Sequence, residues 1–366
     1  MTTDLLFVHS SDELYGADRV LGYLIDALTE DEVRRCRVWL PSDLEHGDYP
    51  LCVRLAARGV RVDHVPLPIL RRANLNPKGF ADLSRRSLAF RRSVAKLSPK
   101  TVYGTTSATL PGLAALAGDS PRLILHNQEV WKPREAKLLG LLAERVDRII
   151  AISKATRDSM PQRLQSRTVI VSNTTPDPHN NPGFTNLSDI AVDPLRFLAA
   201  GRWTANKGFD VLVDAWNEAP VGELTIVGGP PPSGESIDLR RLVGDSRHSD
   251  SISLLGEVSS IEPLIEQAHV VVMPSTWDEP FGLVALEGMA AGRPVVASRV
   301  GGLAQFVNDD VGWLVEPSNP VALAAVLGSI TYEQVVEKGR RARREYSEHF
   351  SPQRFHLAWR AATGLD

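Results

Sequence analysis

The residues best placed for chemistry lie in the second half of the chain. The run R-F-L-A-A-G-R-W-T-A-N-K-G-F-D-V-L begins as an apolar strand that ends near Gly201, so Arg202 stands at the strand's carboxyl end and Lys207 just before the next helix. Two cations at a helix N-terminus suit a phosphate or diphosphate, through charge-assisted hydrogen bonds of about 1.5–3 kcal/mol each. The plainer reading is a pair of surface cations on a strand–helix loop. A second stretch, S-T-W-D-E-P-F-G-L-V-A-L-E-G-M-A-A-G-R-P-V-V-A-S, runs from Ser275 to Ser298. Pro280, Phe281 and Gly282 lead into a helix whose first backbone N–H groups are unsatisfied, a second place for an anion. Glu279 lies just before that helix. Glu287 lies about two turns into it, with Leu283, Val284, Ala290 and Ala291 as helical neighbours. A carboxylate there suits two adjacent hydroxyls, as a ribose presents, and otherwise reads as a partly exposed glutamate on an amphipathic helix. Gly288 costs the helix about 1 kcal/mol relative to alanine, which is tolerable where something approaches closely.

The elements that must carry these residues follow from the apolar pattern. Leu5–Ser10, Arg37–Leu40, Val60–Val65, Thr101–Gly104, Leu123–His126, Arg148–Ser153 and Thr168–Ser172 read as one series of strands. Leu195–Ala200, Glu223–Val227, Ile252–Leu255, Val270–Met273, Val295–Ser298 and Trp313–Val315 read as a second. Helical patterns such as Gly208–Glu218 and Gly282–Ala291 separate them, and such alternation predicts parallel sheets covered on both faces. The Pro-, Asn- and Asp-rich stretch Thr174–Pro194 breaks the pattern. The expected organisation is a doubly wound α/β domain over 1–177, a linker over 178–194 and a second such domain over 195–350. Ligands then belong at the carboxyl ends of strands. No G-x-G-x-x-G follows the first strand, which disfavours a nicotinamide enzyme.

A chain of 366 residues is long for one core, and its 43% hydrophobic and 23% charged residues are those of an ordinary globular protein. A net charge of −3 argues against whole-protein nucleic-acid binding. Cys36 and Cys52 point to a reducing compartment and to neither a disulfide framework nor a metal cluster. The opening M-T-T-D-L-L-F-V-H-S reads as a strand rather than a signal peptide. A cytoplasmic location is expected, with contact at the inner face of the membrane as an extension of it.

Taken together, G-R-x-x-x-x-K-G at Gly201–Gly208, E-P-F-G-L-x-x-x-E-G-M-A-A-G-x-P-V-V-A-S at Glu279–Ser298 and V-G-G at Val300–Gly302 closely resemble retaining glycosyltransferases of family four, which have the GT-B fold. The resemblance implies two Rossmann-like domains facing across a cleft that holds a nucleotide-diphosphate sugar, UDP-, GDP- or ADP-linked. It implies that Arg202 and Lys207 hold the diphosphate and stabilise the leaving group, and that Glu279 lies near the transferred sugar. Glu287 would hold the ribose hydroxyls, and the backbone of Phe281, Gly282 and Leu283 would meet phosphate or sugar. It further implies transfer with retention to an acceptor hydroxyl, without metal or other cofactor, in polysaccharide or glycolipid biosynthesis. In the first domain, Tyr15-Gly16-Ala17-Asp18 stands where the family has a G-G-A-E-type turn, which makes Gly16 and Ala17 substrate-binding candidates. His126, in L-I-L-H-N-Q-E-V, stands where the family often has a histidine reaching the donor sugar. The final segment, about 351–366, is expected to return across the first domain. The alternatives are a nucleotide-sugar epimerase and a non-catalytic nucleotide-sugar-binding module on the same fold.

Residues 71–100 hold nine Lys or Arg and one acid, Asp82. Leu83, Leu88, Phe90, Val94 and Leu97 fall among Arg85, Arg86, Arg91, Arg92 and Lys96, the pattern of a basic amphipathic helix. It reads either as a surface helix packed on its own sheet or as a contact with an anionic membrane beside a lipid-linked or carbohydrate acceptor. No aromatic stacking platform accompanies the charge, so nucleic acid is not the expected partner.

Overall fold

The computed structural model describes residues 3–44, 49–71, 76–231 and 235–365, in two compact units. The first comprises residues up to Asn173 together with those from Phe355 onward; the second spans Thr174–Arg354. The Pro-rich turn Gly228–Gly234 and the basic stretch 71–100 each lie in part outside the described residues.

The first unit is built on seven parallel strands: β1 (Leu5–Val8), β2 (Cys36–Pro41), β3 (Arg61–Val65), β4 (Thr101–Gly104), β5 (Arg122–Asn127), β6 (Arg148–Ala151) and β7 (Thr168–Ile170). Their order across the sheet is β3-β2-β1-β4-β5-β6-β7. The second unit has β8 (Arg196–Ala200), β9 (Glu223–Val227), β10 (Ile252–Leu255), β11 (Val270–Met273), β12 (Val295–Ser298) and β13 (Gly312–Val315), in the order β10-β9-β8-β11-β12-β13. Both are doubly wound sheets, the fold class the sequence implies. Central strands such as Val270–Met273 and Val295–Ser298 are buried along their whole length, because helices cover both faces. In each sheet the strand order reverses at one point, between β1 and β4 and between β8 and β11. The loops leaving those strands are where an open α/β sheet binds its ligands.

The last helix, Pro352–Thr363, contributes to the first unit from Phe355 on. Trp359 is fully buried, packs on Phe7 and Tyr103, and donates its indole N–H to the Tyr103 hydroxyl at 2.9 Å. Arg360 forks onto Glu32 at 2.9 and 3.1 Å.

The stretch read as a linker is packed against the second unit rather than standing apart from it. The agent is Arg293, one of the largest fully buried side chains. Its guanidinium donates to the carbonyls of Thr185 (2.9 Å), Glu266 (2.6 Å) and Ala268 (3.1 Å) and to that of Ala291. Burial pulls its pKa down to about 10, which leaves it charged at neutral pH. One cation thus ties the 174–194 stretch to the elements around β8 and β11.

The basic helix forms over Pro77–Leu97. Phe90 and Val94 are its buried residues, whereas Leu88, expected on the apolar side, is 59% exposed. Leu88 lies three and four residues from Arg85 and Arg92, on the outward face. Among the described residues no helix is long and apolar enough to cross a membrane.

Candidate active site

The loops leaving β8 and β11 meet in the second unit with almost no space between them. A short turn, Ala205–Lys207, ends at Gly208, whose φ is 67° and which begins the helix Phe209–Glu218. A Cβ on Gly208 would lie 2.0 Å from the Pro274 carbonyl oxygen, so only glycine fits. Thr276 laces the loops together: its N–H donates to Asn206 O (3.0 Å) and its hydroxyl to Ala205 O (2.8 Å). Across this seam the Lys207 ammonium pairs with the Glu279 carboxylate at 2.7 Å, and the Ser275 hydroxyl donates to the same oxygen at 3.3 Å. The two charged side chains are 18% and 12% exposed, which shields the pair from much of the screening that weakens surface ion pairs. Arg202 sits on the same loop with an exposed side chain.

Gly301 and Gly302 hold the Glu279 segment from the other side. The Gly302 N–H donates to Glu279 O at 2.6 Å, and a Cβ on Gly301 would lie 2.3 Å from that oxygen. The V-G-G motif therefore exists for close backbone approach, a reason not legible from spacing alone.

Gly282, at φ 103°, starts the eight-residue helix Leu283–Ala290, and no side chain caps it among the described residues. An N-cap side chain thus takes none of the first N–H groups of this helix. Phe281 is buried and packs on Phe306 and Phe350, so any contact it offers a ligand is through its backbone. Glu287 is 5% exposed, which removes the reading of an exposed glutamate. It lines a surface depression with Thr175, Glu262, Ile265 and Ala291. Gly288 has a packing reason: a Cβ would lie 2.7 Å from a Val271 methyl, so the helix rests directly on β11.

In the first unit, Gly16 and Ala17 open the helix Gly16–Asp26. Asp18, buried behind them, gathers the preceding loop. It accepts from the Ser11 hydroxyl (2.7 Å), Tyr15 N–H (3.1 Å) and Glu13 N–H (3.3 Å), and it meets His9 Nε2 at 3.0 Å. Burial pushes the Asp18 pKa upward, but the His9 contact and the hydrogen bonds outweigh it and hold the carboxyl below its usual range. His9 Nδ1 meets the Thr105 hydroxyl at 2.5 Å, joining the loops after β1 and β4 at the first sheet's reversal point. Beside it, Glu129 accepts from the Ser107 hydroxyl and N–H at 2.8 and 3.1 Å, and burial raises its pKa. His9 and Glu129 were not singled out from sequence; the signal was a cluster of polar residues directly after an apolar strand, in V-H-S-S-D and L-H-N-Q-E.

His126 closes β5 with its ring wholly buried, edge-on to Tyr103 at 5.9 Å. Neither ring nitrogen has a hydrogen-bond partner among the described residues, and burial lowers its pKa to about 3.

Residues 194–331 match the family described as Glycosyl transferases group 1. A D-inositol 3-phosphate glycosyltransferase of Xylanimonas cellulosilytica is 37% identical over 182 residues, which are 48% of this chain and 42% of the relative. An uncharacterized glycosyltransferase of Methanocaldococcus jannaschii is 30% identical over 209 residues, 56% of each. The chain thus spans about half the length of these curated relatives, or less. Among solved structures, HepE of Anabaena in complex with UDP-glucose superposes with a TM-score of 0.81 at 20% identity over 99% of each chain. Sucrose-phosphate synthase of Thermosynechococcus elongatus does so at 0.78 and 21%, over 99% of this chain and 100% of that one. Likeness at that identity speaks to the fold.

The enclosed His126 has a consequence for acid stability. The unfolded chain protonates this imidazole near pH 6.5 and the folded chain only near 3. Its contribution to stability is therefore whole above the upper value and declines as pH falls through that window. His126→Phe is expected to flatten the loss of stability between about pH 7 and 4.5 by up to one proton's worth, read from urea midpoints; an unchanged pH slope contradicts the burial.

Proposed function

We propose that this chain, whose residues 194–331 match the group 1 glycosyl transferases, is a glycosyltransferase that moves a sugar from a nucleotide-diphosphate donor to an acceptor hydroxyl with retention of configuration and without a metal in the reaction. The carrying observation is the seam at the second sheet's reversal point, where Lys207, Glu279 and the start of the helix Leu283–Ala290, which has no side-chain cap among the described residues, come from the two loops expected to bind a ligand. In this reading Lys207 and Arg202 take the diphosphate, and the amides of Phe281, Gly282 and Leu283 meet the same anion or the sugar. Negative charge develops on the departing diphosphate as the glycosidic bond breaks, and two fixed cations stabilise it. Glu279 orients Lys207 until the donor arrives and then faces the transferred sugar. Glu287, enclosed on the second turn, accepts from the ribose hydroxyls. His126 joins the reading because its two buried ring nitrogens have no partner among the described residues and call for a polar ligand, and a sugar hydroxyl would satisfy one. Gly16 and Ala17, held by Asp18, offer backbone to the donor. That the Anabaena structure carries UDP-glucose supports a nucleotide sugar as donor here too. The acceptor, a carbohydrate or lipid-linked hydroxyl, falls to the first unit, in polysaccharide or glycolipid assembly.

Lys207→Ala and Arg202→Ala are each expected to lower turnover at least about 100-fold while circular dichroism stays unchanged, the loss of about 2.7 kcal/mol of leaving-group stabilisation. Release of UDP, GDP or ADP from the matching sugar nucleotides, with water as acceptor, reads this directly. Near-normal release by both variants rules out the diphosphate role.

The proposal extends to an anionic membrane for the helix Pro77–Leu97. Its outward face carries Phe80 and Leu88, 47% and 59% exposed, among the exposed Lys78, Arg85, Arg92 and Lys96. Arg86 and Arg91 are engaged with Asp43 and Asp119, and the 79% exposed Arg85 side chain meets Asp82 within its own helix, so the outward cations are the ones to remove. At about 1 kcal/mol per cation, Arg85, Arg92 and Lys96 replaced together by Gln should weaken binding to phosphatidylglycerol vesicles in low salt about 100-fold. Binding that is absent in the wild type, or indifferent to the substitutions, removes the membrane contact.

A further inference from the structure

We propose that Asp12, Cys52 and His64 form a transition-metal site of the Zn²⁺ class at the rim of the first sheet, apart from the sugar chemistry. The residues come from three places: the loop after β1, the first turn of the helix Pro50–Ala57, and β3. One ligand atom from each lies within 4.8 Å of the others. The Asp12 carboxylate is 1% exposed and is held on both oxygens. Oδ1 accepts the Cys52 N–H at 2.8 Å, and Oδ2 meets His64 Nε2 at 2.7 Å. Among the described residues no lysine or arginine meets it. Among the described residues this buried carboxylate faces a helix N-terminus and an imidazole, and burying a charge without a full counter-charge is costly, so an added cation would stabilise it.

The donor set selects the cation. A thiol, an imidazole and a carboxylate suit Zn²⁺ or Co²⁺, and disfavour Mg²⁺ and Ca²⁺, which take oxygen ligands. Bonds of about 2.0–2.3 Å place the ligands of a tetrahedral centre about 3.3–3.8 Å apart. The cluster reaches that spacing if the Asp12–His64 hydrogen bond opens and the thiol closes in, changes within side-chain rotation. Asp12 is already fixed by the Cys52 N–H, and one face of the His64 ring is covered by Tyr49, with centroids 4.7 Å apart, so two of the three ligands are oriented beforehand. Three protein ligands leave a fourth position for water. The bound ion would join the edge strand β3 and the helix Pro50–Ala57 to the loop that leads to Gly16. Sequence alone did not suggest this, since 40 residues separate Asp12 from Cys52 and only the fold brings them together.

The test uses the full chain without an affinity tag, stripped of metal and kept reduced. Added Co²⁺ should bind at one equivalent and give a near-ultraviolet thiolate-to-cobalt charge-transfer band, which Zn²⁺ then bleaches. Cys52→Ser should abolish the band, and His64→Ala should weaken Co²⁺ binding at least about 10-fold. Cys36→Ser should change neither, because Cys36 is buried elsewhere, in β2. His64→Ala, a change at a partly exposed strand position, keeps the test decisive if Cys52→Ser fails to fold. No band in the wild type, a band that survives Cys52→Ser, or binding indifferent to His64→Ala overturns the proposal. None of these results depends on sugar transfer.

Discussion

The backbone of Gly208 touches the backbone of Pro274, and the candidate site depends on that contact. A side chain at Gly208 would drive the loops after β8 and β11 apart. Lys207 and Glu279 would then no longer meet, and the helix that starts at Gly282 would lose its place relative to both. Gly301 and Gly302 repeat the constraint on the far side of Glu279, and Gly228 repeats it beside Gly201, where a Cβ would lie 2.0 Å from a carbonyl oxygen. Glycine costs conformational entropy on folding, so such a concentration of close approaches marks a place where backbone geometry matters more than stability.

The charges fit this frame. Lys207 and Glu279 are mostly enclosed and neutralise one another, which keeps a cation desolvated and aimed without leaving it unpaired. In the proposed function an arriving diphosphate would compete with Glu279 for Lys207, and binding would exchange one ion pair for another rather than create one from free ions. The first unit solves its own rim differently. There the reversal point is filled by protein groups, His9, Asp18 and Thr105, in a buried network that fixes the turn at Gly16.

Much of this was legible in the sequence. The thirteen described strands fall where the strand pattern predicts them; the central ones are continuous apolar runs because strands covered on both faces tolerate few polar residues, whereas the edge strand Arg61–Val65 keeps polar positions. Arg202, Lys207, Glu279, Gly282 and Glu287 stand out as candidates because a strand end followed by a helix start is itself a local signal. What escaped was non-local. Nothing around Arg293 announces a guanidinium bonded to four carbonyls, three of them from the 185–268 region, so 178–194 reads as a linker from sequence. The purpose of V-G-G and of Gly288 needed the atoms they approach. Leu88 was assigned to the wrong face because composition, not helical angle, had grouped it with Phe90 and Val94. His9 and Glu129 needed the sheet order that sets β1, β4 and β5 side by side.

The central claim is that the seam between the β8 and β11 loops holds a nucleotide diphosphate sugar. Calorimetry of the purified chain against UDP-, GDP- and ADP-sugars, without added metal, tests it most directly, with Glu287→Ala and Lys207→Ala as controls. One nucleotide class is expected to bind, and each control to weaken it at least about tenfold, or about 1.4 kcal/mol, with the fold retained. Binding to none of the three, or binding that both controls leave untouched, would contradict it.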